Sequence, residues 1–185
     1  MSVRFDEKKA TEVAAYLLAL RGDRMSYLKL IKLMYLADRE ALRRYGFTLT
    51  NDRHVSMPHG PVVSNTYNLM IDERDQKPFW STYISPPMGM YEIELTRQDC
   101  PTDRLSRIEE KLLKEIFEQY GHRNRWELRD FTHTLPEWHD PEGSSTPISI
   151  RQILEAQGVD GADIAAITRE IAASENTECV LGSFA

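Results

Sequence analysis

The chain has 185 residues, 41% of them hydrophobic and 28% charged, a composition typical of one folded globular domain rather than of a disordered or membrane-embedded chain. Its formal net charge of −6 opposes broad binding to phosphate backbones or anionic lipid, so neither nucleic acid nor a membrane is an expected partner. Two cysteines are too few for a disulfide framework, and the N-terminus lacks a signal-peptide pattern, so we predict a single cytoplasmic domain over residues 1–185.

Helical periodicity dominates the first part of the chain. Apolar residues at helical spacing between Asp6 and Leu20 predict an amphipathic surface helix. From Ser26 to Tyr45, apolar residues cover almost the whole helical circumference until Asp38. We therefore expect this second helix to lie at the centre of the fold and to end at Gly46.

The middle of the chain is predicted to mix short strands with helices. A brief strand is expected within Thr48–His59, and a third helix is expected from Pro61 to about Glu73, because proline is tolerated in the first turn of a helix. Aromatic and β-branched residues between Lys77 and Arg97, around a turn rich in proline and glycine, predict a small antiparallel β-hairpin.

The C-terminal half returns to helical periodicity. One helix is predicted over Asp103–Tyr120, with Ile108 in its apolar stripe, and a shorter one over Arg125–Thr132. Ser149 can cap a further helix, and a last helix follows it. The predicted fold class is mainly α (α+β): a compact helical domain around a buried central helix, with a small antiparallel β-hairpin.

Motifs with a defined catalytic mechanism are absent from the sequence, which has no phosphate-binding glycine loop, nucleophile elbow or zinc-binding histidine pair. His133 and His139, in a segment with Asp130, Glu137 and Asp140, leave open a metal-dependent or other hydrolase. A metal site needs three or four convergent ligands, and no spacing here guarantees that even two of them lie on one face. We therefore expect a protein that is not an enzyme and that has no metal and no cofactor.

The remaining histidines, His54 and His59, raise the same question of metal binding. They lie beside turn-forming residues, so we expect them to bond local backbone or to face solvent.

The C-terminal helices leave open a DNA-binding regulator. Residues from Gln152 to Ile171 can be aligned with a helix-turn-helix pattern that has Gly158 at its turn. The second helix offers Arg169 as its one cation up to Ala173, whereas DNA recognition uses several phosphate-contacting and base-reading side chains. Simple helix packing is the interpretation that the sequence favours.

Three stretches occur in order along the chain: K-L-I-K-L-M-Y-L-A-D at 29–38, H-G-P-V at 59–62 followed by Tyr67, and L-R-D-F-T-H-T-L-P-E-W at 128–138. Their order and spacing resemble the Panacea family, also called SocA-like antitoxins, whereas the region 149–185 matches less well. The resemblance implies an antitoxin that binds and neutralises a cognate protein toxin encoded beside it. One mode of the family resembles a proteolytic adaptor, which hands the toxin to an ATP-dependent protease. A general interaction domain carried by a phage or mobile element is a further alternative.

The resemblance assigns structural or toxin-binding roles to a set of motif positions. These are Lys32, Leu33, Tyr35, His59, Gly60, Pro61, Val62, Thr132, His133 and Trp138. We expect Leu33 and Tyr35 to pack in the core. Gly60 and Pro61 are expected to set a turn, and His133 and Trp138 to hold a loop against the helices. A functional role would place Lys32 and His59 at a shared polar surface.

Toxin contacts are expected on exposed faces, where aromatic residues are common anchors. The candidates in the predicted hairpin are Phe79, Trp80, Tyr83, Met88 and Tyr91. The mildly apolar tail at 179–185 is hypothesised to be a protease recognition signal.

Overall fold

A computed structural model describes residues 5–71 and 78–181, with side chains described as far as residue 173. The predicted end of the third helix at Glu73 and the side chains of the tail after Glu178 lie outside this range. No helix within it is long and apolar enough to cross a lipid bilayer.

The first two helices carry much of the core. The first of them was predicted to be a surface helix, and this is wrong, because residues 10–15, 17 and 18 are all buried. Helix α1 (Glu7–Leu20) begins at Asp6, whose carboxylate accepts a hydrogen bond from the backbone N–H of Lys9. Helix α2 (Tyr27–Tyr45) ends at Gly46, which adopts a φ of 74° that is favourable for glycine. Every residue of α2 from 29 to 38 is buried. The prediction of a buried central helix is therefore confirmed.

The other helices surround α2. They are α3 (Ser64–Ile71), α4 (Pro78–Tyr83), α5 (Arg107–Tyr120), α6 (Arg125–His133), α7 (Ile150–Ala156) and α8 (Gly161–Leu181). Helices α1, α3, α5, α6 and α7 all pack against α2, while α4 packs on α1 and α8 packs on α7. With two small antiparallel sheets beside these helices, the fold is mainly α with some β, as predicted.

The strands are short and form two separate antiparallel sheets. Strand β1 (Arg24–Ser26) pairs with β4 (Glu92–Glu94), and Met25 lies opposite Ile93. In the second sheet, β2 (His54–Ser56) lies between β3 (Val62–Val63) and β5 (Thr146–Ile148). The link between β2 and β3 contains His59, Gly60 and Pro61 of the H-G-P-V motif, and Val62 begins β3, so the second sheet positions the motif.

The predicted start of the third helix is wrong. Pro61 leads into strand β3, and the helix begins only at Ser64. The Asp52 carboxylate, which lies outside the helix, accepts hydrogen bonds from the backbone N–H groups of Asn65 (2.8 Å) and Thr66 (2.8 Å). These contacts satisfy free donors of the first turn and fix where α3 starts.

The predicted hairpin between Lys77 and Arg97 is only partly formed. Glu92–Glu94 is a strand, but the described part of the expected first strand is helix α4. Single antiparallel bridges join Ile84 to Leu95 and Met88 to Glu92. Strand β4 pairs along its whole length with β1, which lies much earlier in the chain. Because the two strands are far apart in the sequence, the local alternation of residues did not reveal this pairing.

Candidate functional site

Lys32 lies at the centre of the motif residues. Its side chain projects from α2 and is 0% exposed, and its Nζ donates a hydrogen bond to the carbonyl oxygen of Pro61 at 2.8 Å. Burial holds the pKa of the Lys32 amine well below its ordinary value, because the charged form loses its hydration in the core. Lys32 therefore links the central helix to the turn after β2 through a buried hydrogen bond.

Gly60 allows this turn to approach α6 closely. Its φ of 90° lies in the left-handed region that favours glycine, and a Cβ there would lie 2.6 Å from Thr132 Oγ1. The same Cβ would lie 3.1 Å from Lys32 Nζ and 3.2 Å from His133 Cδ2. No larger residue fits at position 60 without moving these neighbours.

His133 and Trp138 hold the loop after α6 against the same turn. Their rings stack with centroids 4.0 Å apart and an interplanar angle of 5°. The Trp138 indole N–H donates to the carbonyl oxygen of Met57 at 3.1 Å. His133 Nε2 is buried and has no hydrogen-bond partner among the described residues. We call Lys32, Gly60, Pro61, Thr132, His133 and Trp138 the motif cluster.

The remaining motif positions divide between core and surface. Leu33 and Tyr35 are 0% exposed, which confirms that they pack in the core, and Val62 is buried in β3. His59 is exposed, with its ring 6.4 Å from that of Trp126. Because Lys32 is fully buried, it does not share a polar surface with His59.

A second buried network, which no sequence pattern indicated, connects α2 to the loop after α6. The Glu137 side chain is 0% exposed, and its Oε1 accepts hydrogen bonds from the Tyr35 hydroxyl at 3.0 Å and from Arg39 Nε at 2.6 Å. Arg39 also donates to the side chain of Gln157, just after α7, at 3.1 Å. Glu137 thus has a structural role beside the motif cluster, as the ion-pair partner of Arg39.

Comparison with known proteins bears on the same part of the chain. The family model described as antitoxin SocA-like, Panacea domain, matches residues 30–139, which is more than half of the chain. The chain belongs to this antitoxin family. The matched range, which we call the Panacea domain, contains the whole motif cluster and ends before α7 and α8. No curated protein and no solved structure matches the chain significantly.

The histidines of the Panacea domain are dispersed. No group of three or more potential metal ligands occurs among the described residues. The expectation that His54 faces solvent or bonds local backbone is wrong, because it is buried and its Nε2 lies 2.9 Å from Asp38 Oδ2. Asp38 also accepts the backbone N–H of Leu49 at 2.7 Å, so this pair fastens the segment after α2 to the central helix.

A buried carboxylate at the start of α5 also has structural partners. Glu109 closes a capping box with Ser106 at the start of α5 and forms an ion pair with Lys9 at 2.6 Å. Burial by itself would raise the pKa of the Glu109 carboxyl, but the contacts with Lys9 and Ser106 outweigh burial and lower it.

We predict that His133 makes the stability of the Panacea domain dependent on pH. Burial, and then the neighbouring Lys32, lower the pKa of the His133 imidazole below its ordinary value of 6.5. The unfolded chain therefore binds this proton more readily than the folded chain. The contribution of His133 is fully present above pH 6.5, and the free energy of unfolding should fall as the pH drops through that value.

This dependence can be measured by chemical denaturation between about pH 7 and pH 5. His133→Phe keeps a flat ring against Trp138 but cannot titrate, so its free energy of unfolding should vary less with pH than that of the native chain. His139→Gln is the control, because His139 is exposed. Equal pH dependence in the native chain and His133→Phe would contradict the prediction.

Proposed function

We propose that this chain is the antitoxin of a toxin-antitoxin pair, and that it neutralises a protein toxin encoded beside it by direct contact in the cytoplasm and without catalysis. The observation that carries the proposal is the family match over residues 30–139. Family membership supports an antitoxin role in general, and the chemistry of the motif cluster supports the non-catalytic form of it.

Three polar side chains of the motif cluster are used inside the protein, whereas His133 Nε2 has no hydrogen-bond partner among the described residues. Lys32 donates to Pro61, Trp138 donates to Met57, and Thr132 Oγ1 donates to the carbonyl oxygen of Arg129 at 2.8 Å. A catalytic acid, base or nucleophile must reach a substrate atom, whereas these groups hold one turn and one loop together. Their role in our proposal is to keep a rigid scaffold, whose outer surface binds the toxin.

The test is co-expression with the adjacent gene. Induction of that gene alone should stop growth, and simultaneous expression of this chain should restore it. Leu33→Asp, which places a carboxylate at a fully buried position, is the matched loss-of-fold control and should not restore growth. An adjacent product that is harmless, or whose toxicity this chain leaves unchanged, would contradict the proposal.

The same cultures distinguish two modes of neutralisation. If the antitoxin blocks its toxin, the amount of toxin should stay constant while growth recovers. If it acts as a proteolytic adaptor, the amount of toxin should fall, and inactivation of the host's ATP-dependent proteases should restore it. Immunoblotting of the toxin before and after induction measures this difference.

A further inference from the structure

Exposed apolar side chains and two half-buried arginines gather around the first turn of α6. We call Met90, Tyr91, Arg125, Trp126, Arg129 and His59 the Trp126 patch. The guanidinium carbons of Arg125 and Arg129 lie 5.0 Å and 4.9 Å from the centroid of the Trp126 ring. Arg125 Nη1 also donates to the carbonyl oxygen of Met90 at 2.8 Å, and His59 contacts the indole edge to face. The patch therefore combines three separate segments in one surface.

Large apolar side chains in this patch are well exposed. Trp126 is 46% exposed, Tyr91 62% and Met90 72%. Of the five toxin-contact candidates expected in the hairpin region, only some are exposed. Trp80 is 0% exposed, and Phe79 and Tyr83 are half-buried against each other, whereas Met88 and Tyr91 remain accessible.

Trp126 is held in place before any partner arrives. The Asn124 side chain accepts the backbone N–H of Trp126 at 2.9 Å, and a capping box between Asn124 and Glu127 fixes the start of α6. The two guanidinium groups restrict the indole further. A fixed aromatic side chain loses little conformational entropy on binding, and tryptophan, tyrosine and arginine are the residues most enriched at interface hot spots.

The charges around Trp126 favour a carboxylate on the partner. Among the described residues Arg125 has no acidic partner, since its hydrogen bond goes to a carbonyl oxygen. Nearby acids are already engaged: Glu127 accepts the backbone N–H of Asn124, and Asp130 pairs with Arg129 at 2.5 Å. Glu127 and Asp130 are nevertheless exposed on the same helix and would repel a continuous phosphate backbone. A single carboxylate beside an apolar side chain fits this pattern better than a nucleic acid.

We propose that the Trp126 patch is the surface that receives the toxin, and that the toxin segment bound there presents a carboxylate to Arg125 and an apolar side chain to Trp126. This inference rests on the proposed antitoxin function. It adds the location of the binding surface and the chemistry of the partner segment.

The chain provides a closely matched control for a test of this patch. Arg125 and Trp126 are the first two residues of α6, and Arg107 and Ile108 are the first two of α5. Both helices begin with a capping box, and Ile108 is 55% exposed. The double variants R125E/W126A and R107E/I108A therefore change the same kinds of side chain at equivalent helix positions.

The experiment measures binding of the purified full chain to the purified product of the adjacent gene by titration calorimetry. R125E/W126A should weaken binding by at least about 100-fold, as expected for a hot-spot pair, whereas R107E/I108A should stay within about 3-fold of the native chain. Added salt should weaken binding of the native chain more than that of Arg125→Ala, since the carboxylate contact is screened. Circular dichroism and thermal unfolding check that each variant folds.

The other outcomes overturn the inference in distinguishable ways. If the native chain binds and restores growth but R125E/W126A binds equally well, the patch is wrong while the antitoxin function stands. If the native chain neither binds the adjacent product nor restores growth, the proposed function fails and this inference fails with it. If the native chain forms dimers and only R125E/W126A abolishes them, the patch binds a second copy instead of the toxin. If the native chain binds a single-stranded oligonucleotide and only R125E/W126A abolishes this binding, the patch binds nucleic acid instead.

Discussion

Replacement of Arg39 by methionine should lower the free energy of unfolding by about 3 to 5 kcal/mol, the cost expected when one member of a buried ion pair is removed. The Glu137 carboxylate is 0% exposed, and Arg39 Nε lies 2.6 Å from it. Without the guanidinium, this buried charge would keep, among the described residues, one side-chain hydrogen bond, that from the Tyr35 hydroxyl. The loss of compensation for this charge dominates, because methionine retains most of the packing of the arginine stem.

Denaturant titration of two further variants gives the comparison. Arg43 lies one turn further along α2, and its ion pair with Glu40 is exposed, so Arg43→Met should cost less than about 1 kcal/mol. R39M/E137Q should recover much of the loss, since a neutral amide needs no counter-charge and its oxygen can still accept from Tyr35. If Arg39→Met costs no more than Arg43→Met, the buried pair does not have the role assigned to it.

Gly60→Ala should be the second strongly destabilising change, with a loss of about 2 to 5 kcal/mol. Part of this cost comes from the left-handed backbone, since Gly60 has a φ of 90°. The larger part comes from crowding, because the new Cβ would lie 2.6 Å from Thr132 Oγ1. The motif cluster must open to accept even one methyl group.

Gly22→Ala separates the two contributions. Gly22 has a φ of 87°, nearly that of Gly60, but a Cβ there would meet nothing within 4 Å. It should therefore cost only the backbone term of about 1 to 2 kcal/mol. In a Thr132→Ala background, Gly60→Ala should cost less than in the native chain. Equal losses for Gly22→Ala and Gly60→Ala in thermal and denaturant unfolding would show that the turn is not closely packed.

The helices could be predicted from the sequence because their signals are local. The apolar circumference of Ser26–Tyr45 lies within one segment, and so do the caps and stops that bound α2, α5 and α6. Strand pairing is not local. The β4 strand was predicted, but its partner β1 lies far back in the chain, where three residues beside a helix give almost no periodic signal.

In the candidate site, too, local features were predicted and contacts between distant residues were missed. Family resemblance identified Gly60, Pro61, His133 and Trp138, and their expected roles in a turn and a loop agree with the contacts observed. The partnership of Arg39 with Glu137 was missed, because a sequence rich in charged residues does not indicate which opposite charges meet in the core. Asp38 with His54 was missed for the same reason.

Ile108 illustrates how periodicity can mislead at a helix end. Its spacing fits the apolar stripe of α5, yet it is 55% exposed, whereas Leu112 and Leu113 are 0% exposed. The buried residue of the first turn is instead Glu109, which is 4% exposed. The sequence pattern therefore identified the helix, but it placed the start at Asp103 instead of Arg107 and assigned Ile108 to the buried face.

The claim that this chain acts by binding rather than by catalysis is tested most directly by native mass spectrometry of the purified chain titrated against the purified adjacent gene product. The account predicts one complex of fixed stoichiometry, with toxin function suppressed only as the complex saturates and with both chains unchanged in mass. Loss of toxin function at a small fraction of equivalence, or a changed toxin mass, would show turnover and contradict the account.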